Sequence, residues 1–134
     1  MNYELCSMRY GLKPMDKITF DQFQKLDIRI GTVVKAEIPK WSHLVIKLTV
    51  DFGNPPAGLG KRTIFAGLMN IYKPKELEGK QFPFVINIEP KKIGPEGDYS
   101  QGMLLAVDTK NGKGEDSCVL LIPNREIAPG SKVH

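Results

Sequence analysis

The stretch Asp27-Ile28-Arg29-Ile30-Gly31-Thr32-Val33-Val34-Lys35-Ala36-Glu37-Ile38-Pro39 alternates along its length. Ile28, Ile30, Thr32, Val34, Ala36 and Ile38 form one side, and Asp27, Arg29, Gly31, Lys35 and Glu37 the other. A period of two belongs to a half-buried strand and excludes a helix, whose apolar residues recur every three or four positions. Gly31 inside so long a strand predicts a bulge or sharp coil, the device by which one strand bends through two sides of a small barrel.

Upstream, Thr19 and Gln22 have capping-box spacing, and Phe20, Phe23 and Leu26 fall on one helical face. A short helix through Lys25 is expected, plugging the core. Downstream, Val45–Phe52 alternates with Ile46, Leu48, Val50 and Phe52 inward, and the Gly- and Pro-rich Gly53–Gly60 makes a hairpin loop. Arg62–Gly67 reads as a third strand. Lys73–Glu78, with Pro74 near its start and Gly79 at its end, reads as a short helix. Gln81–Ile88 is a fourth strand with Phe82, Phe84, Ile86 and Ile88 inward; Met103–Val107 is a fifth, and Cys118–Ile122 and the Pro129-Gly130 turn follow. Five strands with a helix between the third and fourth match an all-β OB-fold, a partly open Greek-key barrel, here with short helices and a C-terminal extension. An SH3-like barrel is the competing topology. Residues 1–18 are expected to form an N-terminal arm, with Met15 as an alternative start, and residues 19–134 the domain.

The 134 residues suffice for one domain with a continuous core. A formal net charge of +4 suits an anionic partner. The excess is concentrated in Lys61, Arg62, Lys73, Lys75, Lys80, Lys91 and Lys92, set against Glu76, Glu78 and Glu89. Cys6 and Cys118 are far apart and form no Cys-x-x-Cys pair, so neither a disulfide framework nor a metal site is expected. His43 and His134 are the only histidines and lack the partners of a triad or metal centre. Gly60-Lys61-Arg62-Thr63 fails as a phosphate loop, because Pro55 stands where the first glycine belongs and Arg62 where the hydroxyl belongs. No enzyme activity and no cofactor are expected. Met1–Lys17 carries charges and no long apolar run, so neither a secretory signal nor a membrane partner is expected and the chain is read as cytoplasmic.

A second stretch points to chemistry. Ser100-Gln101-Gly102-Met103-Leu104-Leu105-Ala106 takes a polar turn into an apolar strand, with Asn87, Pro90, Lys91 and Lys92 just upstream. Amide, cationic, hydroxyl and thioether groups on neighbouring loops suit binding of single-stranded nucleotides rather than bond breaking. Lys91 and Lys92, with Lys61 and Arg62, are candidates to neutralise phosphates. Arg29 and Lys47 point outward and either track an RNA backbone or pair with Glu37 or Asp51. Asn87 either reads a base edge or 2′-hydroxyl, or makes a strand-end turn bond. Ser100 is a candidate donor, Met103 either presents its sulfur to a base or packs in the core, and Gly102 allows close approach or a plain turn. Among Trp41, Tyr72 and Tyr99, the stacking candidate is Tyr99.

From Phe20 to Val133 the order of motifs resembles the tRNA-binding domain family, which includes the appended domain of methionyl-tRNA synthetases, the start of the bacterial phenylalanyl-tRNA synthetase beta chain and free-standing tRNA-binding proteins. The blocks are Asp27–Gly31, Ile46–Gly53, Arg62-Thr63-Ile64, Tyr72 with Leu77-Glu78-Gly79-Lys80, Asn87-Ile88-Glu89-Pro90-Lys91-Lys92 and Ser100–Leu104. The resemblance implies structure-selective tRNA binding without catalysis, with Asn87, Lys91, Lys92, Ser100 and Met103 at contact positions. It also implies a homodimer and association with methionyl-tRNA synthetase. Three departures lower the local positive charge or polarity: Ser42-His43-Leu44 lacks the usual Lys before Leu, Ala66 replaces Ser, and Glu89 replaces a frequent Lys. The missing Lys is shared with a protein-export chaperone branch, which typically lacks the Ser-x-Gly-Met turn present here.

Overall fold

Residues 14–134 are described by the computed structural model; Cys6 and all of the expected arm except residues 14–18 lie outside them. Helix α1 (Phe20–Gln24) begins as its sequence requires. Thr19 Oγ1 accepts from Gln22 N at 3.1 Å and Gln22 Oε1 accepts from Thr19 N at 2.8 Å, satisfying two otherwise orphaned donors. The helix does not plug the core, however: none of its residues is buried and Phe20 is 71% exposed. That role falls to Leu77 of α2 (Pro74–Leu77), which is fully buried among the strand side chains.

The barrel strands are β1 (Ile28–Glu37), β2 (Ile46–Asp51), β3 (Lys61–Ala66), β4 (Gln81–Val85) and β7 (Met103–Leu104). They run antiparallel in the order β3-β2-β1-β4-β7, forming a nearly closed five-stranded OB-fold barrel. The expected fifth strand is split: Leu105 N donates to Pro83 O, and the chain then leaves the barrel as β8 (Ala106–Lys110), paired with β9 (Asp116–Leu120). A separate hairpin joins β5 (Lys91–Ile93) to β6 (Asp98–Ser100), and β10 (Lys132–Val133) adds to β1. Phe52, Phe82, Phe84, Ile46, Leu48 and Ile64 are fully buried at the centre. Ile88, expected inward, is exposed because β4 ends at Val85 and the chain turns towards β5. Among the described residues no helix is long and apolar enough to cross a membrane.

The alternation that identifies β1 breaks inside the strand. Val33 pairs with Val50 and Lys35 with the next residue, Thr49, so Val34 is an extra, exposed residue. This bulge, expected at Gly31, exchanges the two faces of the strand. Before it, Gly31 and Val33 face the core, while Ile30 is buried on the outside beneath the C-terminal segment. Ile30 N donates to Ser131 O and Gly130 N to Ile30 O, both closing that cover. Beyond the bulge Ala36 faces the core as expected, and its N–H donates to Glu78 Oε2 at 3.0 Å.

Closure between β3 and β7 uses side chains as well as backbone. Gln101 N donates to Thr63 O at 2.8 Å, and Gln101 Oε1 accepts from Thr63 N at 2.9 Å. The buried Ser100 hydroxyl accepts from Phe65 N at 3.0 Å and donates to Gly102 O at 3.0 Å. Ser100→Ala strips a partner from a buried N–H and a carbonyl together. A loss of about 1–3 kcal/mol in urea-unfolding stability is expected.

Candidate nucleic-acid interface

The loop cluster expected from the sequence is assembled by the β5–β6 hairpin. Its register sets Lys91 opposite Ser100, Lys92 opposite Tyr99 and Ile93 opposite Asp98. Opposed residues share a face in an antiparallel pair. Ser100 turns in to anchor the hairpin on β3, whereas Lys92 and Tyr99 are neighbours on the exposed side, with Tyr99 53% exposed. Neither Lys91 nor Lys92 joins an ion pair among the described residues. Met103 is also exposed, opposite Val85; core packing at this end of the barrel falls to Leu104.

Arg62 is a strut beneath this surface. Its Nη1 donates to Ile86 O at 2.8 Å and to Gln101 O at 3.3 Å, tying β3 to both loops. Asn87 Oδ1 accepts from Asp27 N at 2.9 Å while Nδ2 donates to Lys25 O at 2.6 Å. The amide therefore holds the α1–β1 junction, leaving one N–H and one lone pair for a ligand. Gly102 is buried, and a Cβ there would lie 2.9 Å from Ile64 Cδ1 and 3.0 Å from the Val85 carbonyl oxygen. Close approach explains this glycine.

The geometry coincides with a family match over residues 28–132, described as "Putative tRNA binding domain". This chain belongs to that family. It is 40% identical over 126 residues to the methionine–tRNA ligase of Parabacteroides distasonis, covering 92% of this chain but 17% of the ligase. The chain thus spans about a sixth of the length of the curated relatives it matches, and the shared part is the tRNA-binding domain rather than the catalytic body. A solved MetRS related protein from Pyrococcus horikoshii is 38% identical, with a TM-score of 0.72 over 90% of this chain and all of that one. The chaperone CsaA from Bacillus anthracis str. Ames is 34% identical, with a TM-score of 0.72 over 89% of this chain and all of that one.

Within this tRNA-binding domain the remaining cations separate. Lys47 Nζ lies 3.8 Å from Asp98 Oδ2, so it joins the hairpin cluster through that carboxylate. Lys61 is exposed at the start of β3, beside Arg62 and opposite Asp51. Arg29 stands apart, towards the other end of β1 from the strand's Lys47 pairing. Its guanidinium grips Asp27 through Nε at 3.0 Å and Nη2 at 3.2 Å, and Lys132 lies 4.0 Å from the same carboxylate. The pairings expected with Glu37 and Asp51 are therefore made with Asp27 and Asp98. Tyr72 is half-buried with its hydroxyl donating to Cys118 O, and Trp41 is half-buried against Phe65.

Two contributors escaped the sequence reading. Gln101 closes the barrel from within the Ser100–Leu104 block, and its place between Ser100 and Gly102 is the signal that marks it. Asp98 carries no motif; only the hairpin register brings it to Lys47. The Cys118 thiol is pushed up, by burial first and by the Asp108 carboxylate second. Less thiolate is then present at neutral pH. Alkylation of Cys118 is expected to be slower than that of a free thiol at pH 8, and Asp108→Asn to speed it modestly, as followed by mass spectrometry.

Proposed function

We propose that this chain binds folded tRNA through the exposed side of the β5–β6 hairpin and the Ser100–Met103 turn, selecting structure rather than base sequence. The observation that carries this reading is the pairing of Lys92 with Tyr99 on one exposed face, with the exposed Lys91 adjoining it from the Ser100 side and outside any ion pair among the described residues. The cations supply phosphate affinity and the ring supplies a sequence-tolerant stacking surface. No bond is made or broken; the module raises the local tRNA concentration for a synthetase. Similarity to methionine–tRNA ligases supports methionyl-tRNA synthetase as that partner.

A homodimer is part of the same proposal. Phe20, Phe23, Leu26, Leu121 and Ile122 are exposed around Val133, an apolar area that a second copy would cover. The test is tRNA binding against salt concentration with duplex RNA as competitor. About four to six neutralised phosphates give a log–log slope of roughly −3 to −5. Absence of binding at low salt sinks the proposal. The similarity to chaperone CsaA favours the second reading, polypeptide binding by a scaffold dimer, which predicts peptide capture that survives moderate salt.

A further inference from the structure

The β5–β6 hairpin displays Lys92 and Tyr99 on one side, and its other side covers part of the β2–β3 surface. Gly94, at the tip with φ +74°, lies against the Trp41 indole. A Cβ there would overlap Cζ2 and Cη2 and lie 2.7 Å from Cε2, so both conformation and space demand glycine. Trp41 rests in turn on Phe65, with ring centroids 6.1 Å apart. Beside this stack Asp98 reaches across from β6 to Lys47 on β2.

Two features are unexpected of a purely structural contact. Trp41 Nε1, bonded to the covered Cε2, is buried and has no hydrogen-bond partner among the described residues. A desolvated donor without an acceptor destabilises the covered state. Lys47, an outward cation beside the loop cluster, is held at 3.8 Å by the Asp98 carboxylate from another strand.

We propose that Trp41 and Lys47 form a second nucleotide subsite beneath the hairpin, taking one stacked base and its phosphate, with Asp98 holding it shut as an internal phosphate substitute. This rests on the tRNA-binding reading and adds a site to it. Both side chains of the Lys47–Asp98 pair remain about one-third exposed at 31% and 38%, so the pair is weak and open to exchange. A phosphate brings more charge and more acceptor oxygens than the carboxylate it replaces. An RNA acceptor also satisfies the indole N–H, and the indole face supports a base. The hairpin, short and fastened to β3 at its Ser100 end, lifts at the Gly94 tip while its base stays anchored.

Trp41 is the only tryptophan in the chain, so its fluorescence reports the cover directly. Without RNA, Asp98→Asn is expected to shift Trp emission to the red and to raise acrylamide quenching, whereas Glu96→Gln on the same hairpin leaves both at parental values. With tRNA, one added phosphate contact steepens the log–log salt slope by about 0.7–0.9, which is about a five- to eight-fold gain in affinity at 0.1 M salt relative to 1 M. Glu96→Gln gains less, and Lys47→Met abolishes the gain from Asp98→Asn. Unchanged emission in Asp98→Asn overturns the proposal, as does a gain that Glu96→Gln equals or that persists in Lys47→Met. A parent that binds no tRNA overturns the preceding reading; a parent that binds while Asp98→Asn gains nothing overturns the subsite alone.

Discussion

Replacing Lys91 and Lys92 together by alanine is expected to weaken tRNA binding about 40-fold at 0.1 M salt and hardly at all near 1 M. Each phosphate contact contributes roughly 0.7–0.9 to the log–log salt slope, so two lost contacts flatten it by about 1.6. Over one decade of salt that difference amounts to about 40-fold. Both lysines are exposed and outside any ion pair among the described residues, so the fold should survive with a stability change within about 0.5 kcal/mol. Lys75→Ala/Lys80→Ala is the matched control. It removes the same charge from exposed positions around α2, away from the hairpin. Equal weakening by the two double variants would mean that net charge, rather than this hairpin, governs affinity.

Gly31→Ala is expected to cost about 3 kcal/mol, lowering the melting temperature by roughly 10 °C. An added Cβ would overlap Val50 Cγ1 and lie 2.7 Å from Phe52 Cε1, and both neighbours are fully buried. Phe52 has little freedom to retreat, because it packs edge-on against Phe84 at 5.5 Å between ring centroids. Backbone movement is equally constrained, since β1 pairs with β4 on one side and β2 on the other. Differential scanning calorimetry of Gly31→Ala alone and with Val50→Ala checks the cause. A smaller penalty in the second background supports overpacking against Val50. A loss below about 0.5 kcal/mol in the single variant would show that the barrel yields at this point.

The contrast between these two experiments follows how the chain is organised. Strand β2 was legible in full, because Ile46, Leu48, Val50 and Phe52 alternate without interruption and all are buried. The cap at Thr19 was equally legible, since its bonds join residues three positions apart. Strand β1 was legible as a strand but not in its facing. Two adjacent valines offer the same hydrophobicity to either side, and the bulge at Val34 selects which one enters the core. The candidate residues around the β5–β6 hairpin were legible as a group because they are clustered in sequence. Their division of labour was not: Ser100, Arg62 and Asn87 are engaged by backbone groups that lie dozens of residues away.

By itself, then, the sequence determined what depends on near neighbours and repeating pattern. Those features are the helix capped by Thr19, a small all-β barrel with an inserted helix, the cationic loop cluster, and the blocks that resemble tRNA-binding domains. Only the tertiary structure decided what depends on distant partners. It buries Leu77 rather than Phe20, turns Val33 inward, exposes Met103 and Tyr99, and brings Asp98 to Lys47. The physical reason is that helical and strand periods are set by local backbone geometry. Burial and charge pairing are set by which strands meet and in what register, and a single extra residue reverses that register.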